Sequence, residues 1–314
     1  MAQTAKSKKS GFRESPWFKL VWIVPLVIVV LAAASIASRW YLGSDAGHSF
    51  LENYPGKSEL PADSPEGFAG FIQWQHALNI FFIVLLIRSG WLVHSQTKPE
   101  AFWTRNNKGR FKTKGSPTKM SLYLWLHLSV DFLWVLNGVV FIVLLFISGS
   151  WLRVVPIHWD IIPNAWSAGL QYLSFNWPVE TAWTNYNALQ VLAYFVTIFI
   201  AAPLAAVTGI RMSPVWSPTW KINRVYPAAL ARAIHLPVMF YYVVFIVIHV
   251  FLVFTTGMRH NLNYMFSNQP EGSLSWWGFA LFVVTLIVVI AGWIAARPIF
   301  MRSLAELTGK VTRR

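Results

Sequence analysis

The chain has 314 residues, of which 55% are hydrophobic and 12% are charged. Soluble domains have about a quarter of their residues charged, so this composition excludes an ordinary soluble fold and indicates an integral membrane protein. The net charge of +14 does not indicate nucleic-acid binding, because the basic residues are divided among separate loops and form no single patch.

Six apolar stretches are long enough to cross the ~30 Å hydrocarbon layer as helices. They cover residues 19–38, 72–94, 121–147, 188–210, 233–256 and 276–296. We therefore predict an all-α integral membrane fold with six transmembrane helices, four in a core and one flanking helix at each end. The first stretch follows a basic start and could be a secretory signal, but its apolar run is longer than a usual signal core and favours a retained helix.

Basic residues separate the loops into two sets. Residues 1–18, the segments after the second and fourth helices and the tail after the sixth are rich in Lys and Arg. Of the 26 Lys and Arg residues, only Arg39, Lys57, Arg153 and Arg259 fall on the opposite side. The positive-inside rule therefore predicts that both termini are cytoplasmic, and we call the basic side the inner side.

The chain contains no cysteine. Thiolate-bound iron–sulfur clusters, covalent c-type haem attachment and disulfides within this chain are therefore excluded. Electrons that pass through the chain must come from one other molecule and leave to another.

Four histidines lie inside predicted helices, where a histidine is costly unless a partner satisfies it. In the segment "HLPVMFYYVVFIVIH", His235 and His249 are fourteen residues apart. This spacing separates them by about 21 Å along the helix and by about 40° around its axis. With alternating helix directions, His76 shares the outer level with His249, and His127 shares the inner level with His235. Two neutral imidazoles facing each other are what a low-spin haem iron needs, so the pattern predicts two haem levels.

The remaining polar residues near these levels have competing explanations. Three histidines fall in outer loops and one at the inner end of the second helix, where solvated or interfacial side chains are expected: His48, His158, His260 and His94. Asp131 is the one carboxylate within a predicted span, one turn beyond His127. It could orient that imidazole, relay protons or lie near a quinone, and a hydrogen bond to a neighbouring helix explains it equally well.

Glycines recur inside the spans. The motifs "RSG" at 88–90, "LNG" at 136–138 and "VTG" at 207–209 place Gly138 and two other glycines where a flat macrocycle could approach the backbone. Ordinary small-residue packing between helices is at least as good an explanation for any one of them.

Arginines near the helix ends are candidates to bind haem propionates. Arg88 and Arg211 lie on the inner side, and Arg39 and Arg259 on the outer side. Extension of each side chain to the membrane edge explains them equally well.

These residues resemble a known family. The fourteen-residue histidine spacing, the "TG" at 208–209, and His76 followed by "SG" at 89–90 are similar to the di-haem cytochrome b subunits of formate dehydrogenases and nickel–iron hydrogenases. The chain is identified as a member of this cytochrome b561-like superfamily, and resembles in particular its thiosulfate reductase type. The resemblance covers roughly residues 70–265.

The resemblance implies a four-helix core with two b-type haems. Its iron ligands would be His76, His127, His235 and His249, and members of the family carry electrons between a membrane quinone and a separate catalytic subunit. The quinone would be menaquinone or ubiquinone, and the partner could be a molybdopterin oxidoreductase. The implied organisation is a basic cytoplasmic tail (1–18), an extra N-terminal helix (19–38), the cytochrome b core (70–265), and a C-terminal helix with a basic tail (276–314).

The leading hypothesis is therefore an electron-transfer subunit in a prokaryotic cell membrane. Two alternatives stay open: a stand-alone transmembrane reductase with the same haems, and a proton-coupled transporter without haem, in which the intramembrane histidines and Asp131 relay protons. The long outer loop from 150 to 187 contains five tryptophans and is expected to lie in the membrane interface, where it would cover the outer haem or bind a partner.

Overall fold

The computed structural model describes residues 16–107, 117–177 and 182–313. Within these ranges, six helices are long and apolar enough to cross a membrane, and we call them spans one to six in chain order. They are Val21–Leu42, Phe71–Ser95, Leu122–Ile147, Ala188–Met212, Ala228–Thr255 and Trp277–Ala295. The predicted all-α membrane fold with six transmembrane helices is confirmed. The basic tail predicted over residues 1–18 lies almost entirely outside the described residues.

Local sequence explains where the spans begin, end and change geometry. Span three begins after Ser121, whose Oγ accepts a hydrogen bond from the backbone N–H of Leu124 (3.2 Å), and it ends just before Gly149 at a φ of +72°. Span four contains the π turn Val196–Ala201 just before Pro203. Pro203 has no N–H to donate to the carbonyl four residues earlier, and the wider turn accommodates this loss. Shorter helical turns lie between the spans: Ser150–Arg153, Lys221–Arg224, Met258–Leu262 and Asn263–Ser267.

The contacts divide the chain into two compact units. The first unit contains span one with the helices Asp45–Asn53 and Ile161–Leu173, and span one packs against both of them. The Nε of Arg39 donates to the carbonyl of Ser174 (2.8 Å), which fixes the outer end of span one within this unit. The helix predicted over residues 19–38 therefore continues to Leu42.

The second unit contains spans two, three, five and six and most of span four. Span two packs against spans three and six, and span four packs against span five. Ala201, Val238 and Tyr242 form a buried cluster that also contacts Ile83 of span two and Trp134 of span three. In a bilayer such packing acts mainly through van der Waals contact. This cluster connects spans two to five, of which spans two, three and five carry the four intramembrane histidines.

The inner loops of the second unit form a small antiparallel sheet that sequence analysis did not predict. Its strands are β1 (Ala101–Arg105), β2 (Lys119–Ser121) and β3 (Gly309–Arg313), with β1 in the centre. Trp103 of β1 is 8% exposed and donates from Nε1 to the carbonyl of Ala305 (3.0 Å), in the helix Pro298–Glu306. Part of the expected basic tail is therefore an ordered helix and strand, which pack against Trp103 and against Leu122 at the start of span three.

Candidate functional site

The structure brings His127 of span three and His235 of span five together at the inner level. Their ring centres are 6.3 Å apart, and their planes are inclined by 84°. A metal–nitrogen bond of about 2 Å on each side, with about 1 Å from each nitrogen to its ring centre, would separate two imidazoles that share one metal by about 6 Å. The observed separation fits a single shared iron.

Two hydroxyl groups determine which nitrogen of each inner ring is free. Ser89 Oγ lies 2.9 Å from His127 Nδ1, and Thr208 Oγ1 lies 2.8 Å from His235 Nδ1. Each hydroxyl donates its only proton to a carbonyl of its own helix, that of Leu85 (2.7 Å) or Leu204 (2.5 Å). We therefore infer that each hydroxyl oxygen accepts a hydrogen bond from Nδ1–H, which leaves both Nε2 lone pairs available for a metal.

Glycines next to these hydroxyl residues leave room for the rings. A Cβ added at Gly90 would lie 3.2 Å from His127 Cε1. A Cβ at Gly209 would lie 3.6 Å from His235 Cε1 and 3.4 Å from Asp131 Oδ2, so Asp131 lies at the same level. In the motifs "SG" and "TG", the hydroxyl residue therefore contacts the imidazole through a hydrogen bond, and the glycine that follows leaves space for the ring.

The outer level contains His76 of span two and His249 of span five. Their ring centres are also 6.3 Å apart, with an interplanar angle of 62°, so this pair passes the same test for a shared iron. Phe245 stacks on His249, and Phe266 meets His76 edge to face. Among the described residues, the Nδ1 of His76 is buried without a hydrogen-bond partner, and so are both amide atoms of the neighbouring Gln75. The outer rings therefore lack the hydroxyl contacts of the inner pair.

An apolar layer lies between the two levels. His235 and His249 are fourteen residues apart on span five, about 21 Å along the axis, and Val238 and Tyr242 of the central cluster lie between them. Tyr242 meets Trp134 edge to face (6.4 Å between ring centres). The side chains of this cluster are aliphatic or aromatic, so apolar packing separates the two histidine pairs.

The candidate arginines mostly contact carbonyls and aromatic rings. Arg88 donates to the carbonyl of Trp293 and lies over that ring. Arg211 donates to the carbonyl of Tyr226 (2.7 Å) and lies over Trp216. The Arg39 guanidinium lies over Phe175, within the first unit, and that of Arg259 lies over Trp276. Both inner arginines keep donors that could bind a carboxylate, and nothing lies within 4 Å of a Cβ built at Gly138.

Sequence analysis missed Arg153, which is the most buried of these arginines. It is 3% exposed, and its guanidinium donates to the carbonyls of Gly67, Ala182 (2.6 Å) and Trp183 (3.2 Å). It also lies over the ring of Tyr186, at 4.9 Å from the centroid. Burial raises the pKa of Tyr186 to about 12, although the nearby guanidinium acts in the opposite direction. Arg153 is the only Lys or Arg in the sequence between spans three and four, and this was the available signal.

The other histidines stay apart from both pairs. His94 is exposed next to Trp91 (6.0 Å between ring centres), and His260 lies near Tyr264 (6.5 Å). Among the described residues, no group of three or more His, Cys, Asp or Glu could hold a metal ion, so the histidine arrangement is one of pairs. Asp131 has no side-chain hydrogen bond within the part of the chain that the structure describes, so one of the explanations considered for it, a bond to a neighbouring helix, is not observed.

Comparison with known proteins gives one match. A family model described as prokaryotic cytochrome b561 matches residues 67–268, which contain all four paired histidines. Neither a search of curated proteins nor a search of solved structures finds a match.

Proposed function

The chain belongs to the prokaryotic cytochrome b561 family, a group of membrane electron-transfer proteins with b-type haem, and from this premise we propose that it binds two b haems. His76 and His249 ligate the outer haem, and His127 and His235 ligate the inner one. The observation that carries this proposal is that both pairs have the same 6.3 Å separation of ring centres. A bound haem supplies an iron that takes up and releases one electron at a time.

The side chains around the rings have distinct roles in this proposal. Ser89 and Thr208 hold the inner imidazoles as Nδ1–H tautomers, so that Nε2 faces the iron. Arg88 and Arg211 bind propionates of the inner haem through guanidinium donors that the carbonyls leave free. Gly138 leaves the surface of span three open, since a Cβ there would meet no protein atom within 4 Å, and a macrocycle edge could approach the backbone at this point.

We propose that the protein exchanges electrons between a membrane quinone, menaquinone or ubiquinone, and a separate catalytic redox subunit. The lack of cysteine supports a separate partner, because this chain cannot build an iron–sulfur relay of its own. Members of the resembled superfamily act with formate dehydrogenases and hydrogenases, and a molybdopterin oxidoreductase is one partner class that fits. Copurification of a catalytic subunit, or quinol oxidation by the chain alone, distinguishes this role from that of a stand-alone reductase.

We also propose that both termini face the cytoplasm, because the basic residues are concentrated on that side of the spans. In this orientation the β-sheet and the helix Pro298–Glu306 lie at the cytoplasmic surface. The residues that follow 276 then form a flank of the 70–265 core, and residues 19–38 form most of an additional N-terminal span. Accessibility of single cysteines introduced at Lys57 and Lys310 tests this orientation, since the two should be labelled from opposite sides.

Haem content and ligand variants test the central proposal. The purified protein should contain two haems per chain and show a reduced b-type spectrum. His127→Ala and His235→Ala should each lose the inner haem and keep the outer one, whereas His76→Ala and His249→Ala should show the reverse. His94→Ala is the matched control and should retain both. A colourless protein from haem-replete cells, or loss of the inner haem in the His94 variant, contradicts the assignment.

A further inference from the structure

The two histidine pairs differ in the hydrogen bonds that their rings make. Nδ1 of each inner ring lies within hydrogen-bond distance of a hydroxyl oxygen, at 2.9 Å in His127 and 2.8 Å in His235, and the ring is the donor because each hydroxyl donates to a carbonyl of its own helix. Among the described residues, no side chain or carbonyl accepts a hydrogen bond from the ring of His76 or His249, and Nδ1 of His76 is buried without a partner. The sequence shows four similar histidines, but the structure separates them into two environments.

This difference has a direct effect on an iron bound between the rings. An acceptor at Nδ1–H makes the imidazole a stronger electron donor through Nε2. A stronger donor stabilises ferric iron more than ferrous iron, which lowers the reduction potential. The inner level carries two such bonds and the outer level none, so this contribution lowers the potential of the inner haem alone.

An independent feature of the outer level acts in the opposite direction. Arg153 is 3% exposed, and no carboxylate lies within ion-pair distance of it among the described residues. Ring contacts lead from Arg153 to Tyr186, from Tyr186 to Tyr194 (5.0 Å between centres) and from Tyr194 to His249 (6.5 Å). A buried cation favours the less positive, ferrous state of a nearby iron, and low local dielectric increases the effect. Arg153 should therefore raise the potential of the outer haem.

The inner arginines do not cancel this asymmetry. Arg88 and Arg211 are both partly exposed, and each lies against a carbonyl and a tryptophan ring near the edge of the membrane. Ions and water screen charges in such positions far more than they screen a buried guanidinium. In the proposed function these two arginines also face propionates, which neutralise them.

We propose that the inner haem has a lower reduction potential than the outer haem, so that electrons run downhill from the basic side of the membrane to the opposite side. This inference rests on the two-haem function proposed above. A hydroquinone oxidised on the basic side would release two protons and two electrons. The electrons would pass singly, each reducing the inner ferric iron to ferrous, which the outer ferric iron then reoxidises. The outer iron would return to ferric as it reduces an acceptor, so the catalytic partner would be a reductase.

Redox titration of the purified full-length protein, followed by absorbance, tests this order. His76→Ala, which keeps the inner haem, should titrate at a lower potential than His127→Ala, which keeps the outer one. Ser89→Ala and Thr208→Ala should each raise the potential of the inner haem and leave the outer one unchanged. Ser95→Ala and Thr285→Ala are matched controls, because each hydroxyl bonds only a carbonyl of its own helix, and they should shift neither haem.

The reduction potential of the outer haem is tested by changing the charge at Arg153. Arg153→Gln should lower its potential, Arg153→Lys should restore most of it, and replacement of the exposed cation in Lys57→Gln should have no effect. A merely structural role for Arg153 would change haem retention or folding in both variants and would not follow the charge. Equal or reversed potentials in the single-haem variants, or hydroxyl variants that shift neither haem, would overturn the inference. Wild-type protein without haem would instead refute the proposed function.

Discussion

Gly90 provides the sharpest test of how tightly the inner ring pair is held. In Gly90→Ala the added methyl carbon would lie 3.2 Å from His127 Cε1, a few tenths of an ångström inside ordinary contact. The ring cannot retreat freely, because its Nδ1 is bonded to Ser89 at 2.9 Å. Overpacking of this kind costs about 1–3 kcal/mol. If the cost falls on the ligated state, haem binding at the inner level should weaken by about 5- to 150-fold.

Gly209 gives a matched control on the opposite side of the same level. A methyl carbon there would lie 3.6 Å from His235 Cε1 and 3.4 Å from Asp131 Oδ2, which is ordinary contact, so Gly209→Ala should bind the inner haem almost as the wild type does. The rate of haem transfer to excess apomyoglobin measures both variants, and the outer haem serves as an internal reference. The reasoning is refuted if Gly90→Ala releases its inner haem no faster than the wild type, or if Gly209→Ala releases it faster than Gly90→Ala.

Substitutions at three further positions give additional predictions. Asp131→Asn removes the charge of a carboxylate without a hydrogen-bond partner, so it should raise the potential of the inner haem and retain both haems; an unchanged potential would show that the carboxyl is neutral there. A Cβ at Gly138 would have no protein atom within 4 Å, so loss of haem from a folded Gly138→Leu variant would indicate a macrocycle beside Gly138, and full retention would argue against one. Trp103→Phe removes the bond to the carbonyl of Ala305 and should cost about 1 kcal/mol, whereas Trp103→Ala should cost about 3–5 kcal/mol. The stability of the two Trp103 variants is measured by thermal unfolding and by proteolysis of the C-terminal strand. Equal losses of stability in both variants would argue against a separate role for the hydrogen bond.

The six spans followed from local composition, because each needs only an uninterrupted apolar run. The ends were less predictable: span one extends to Leu42 and span five begins at Ala228, where capping and the position of Pro227 decide the boundary. The β-sheet was not predictable from pattern, since β1 and β3 are five-residue strands about 200 residues apart in the chain. Their pairing depends on where the ends of the spans lie, and no local propensity encodes it.

In the candidate site, too, some features follow from the sequence and others depend on how the helices pack. The fourteen-residue spacing of His235 and His249 requires both to lie near one face of span five, and this is a property of helix geometry alone. Ser89 and Thr208 were visible in the motifs, but only as neighbours of glycines. The structure showed a role for their hydroxyl groups, because the packing of the spans places each of them within 3 Å of an imidazole nitrogen. Arg153 was visible as an outer charge, but its burial was not.

By itself the sequence determined that this protein lies in the membrane, that it has six spans, and that two depths of span five carry a histidine. These properties depend on hydropathy and on the fixed rise and turn of a helix. Alternating span directions also predicted which histidines share a level, whereas only the tertiary structure decided which hydroxyl contacts which ring and where a cation is removed from water. The hydroxyl–ring contacts join residues from different spans, and the contacts of Arg153 join segments outside the spans that are distant in the chain, so both depend on how the whole chain packs.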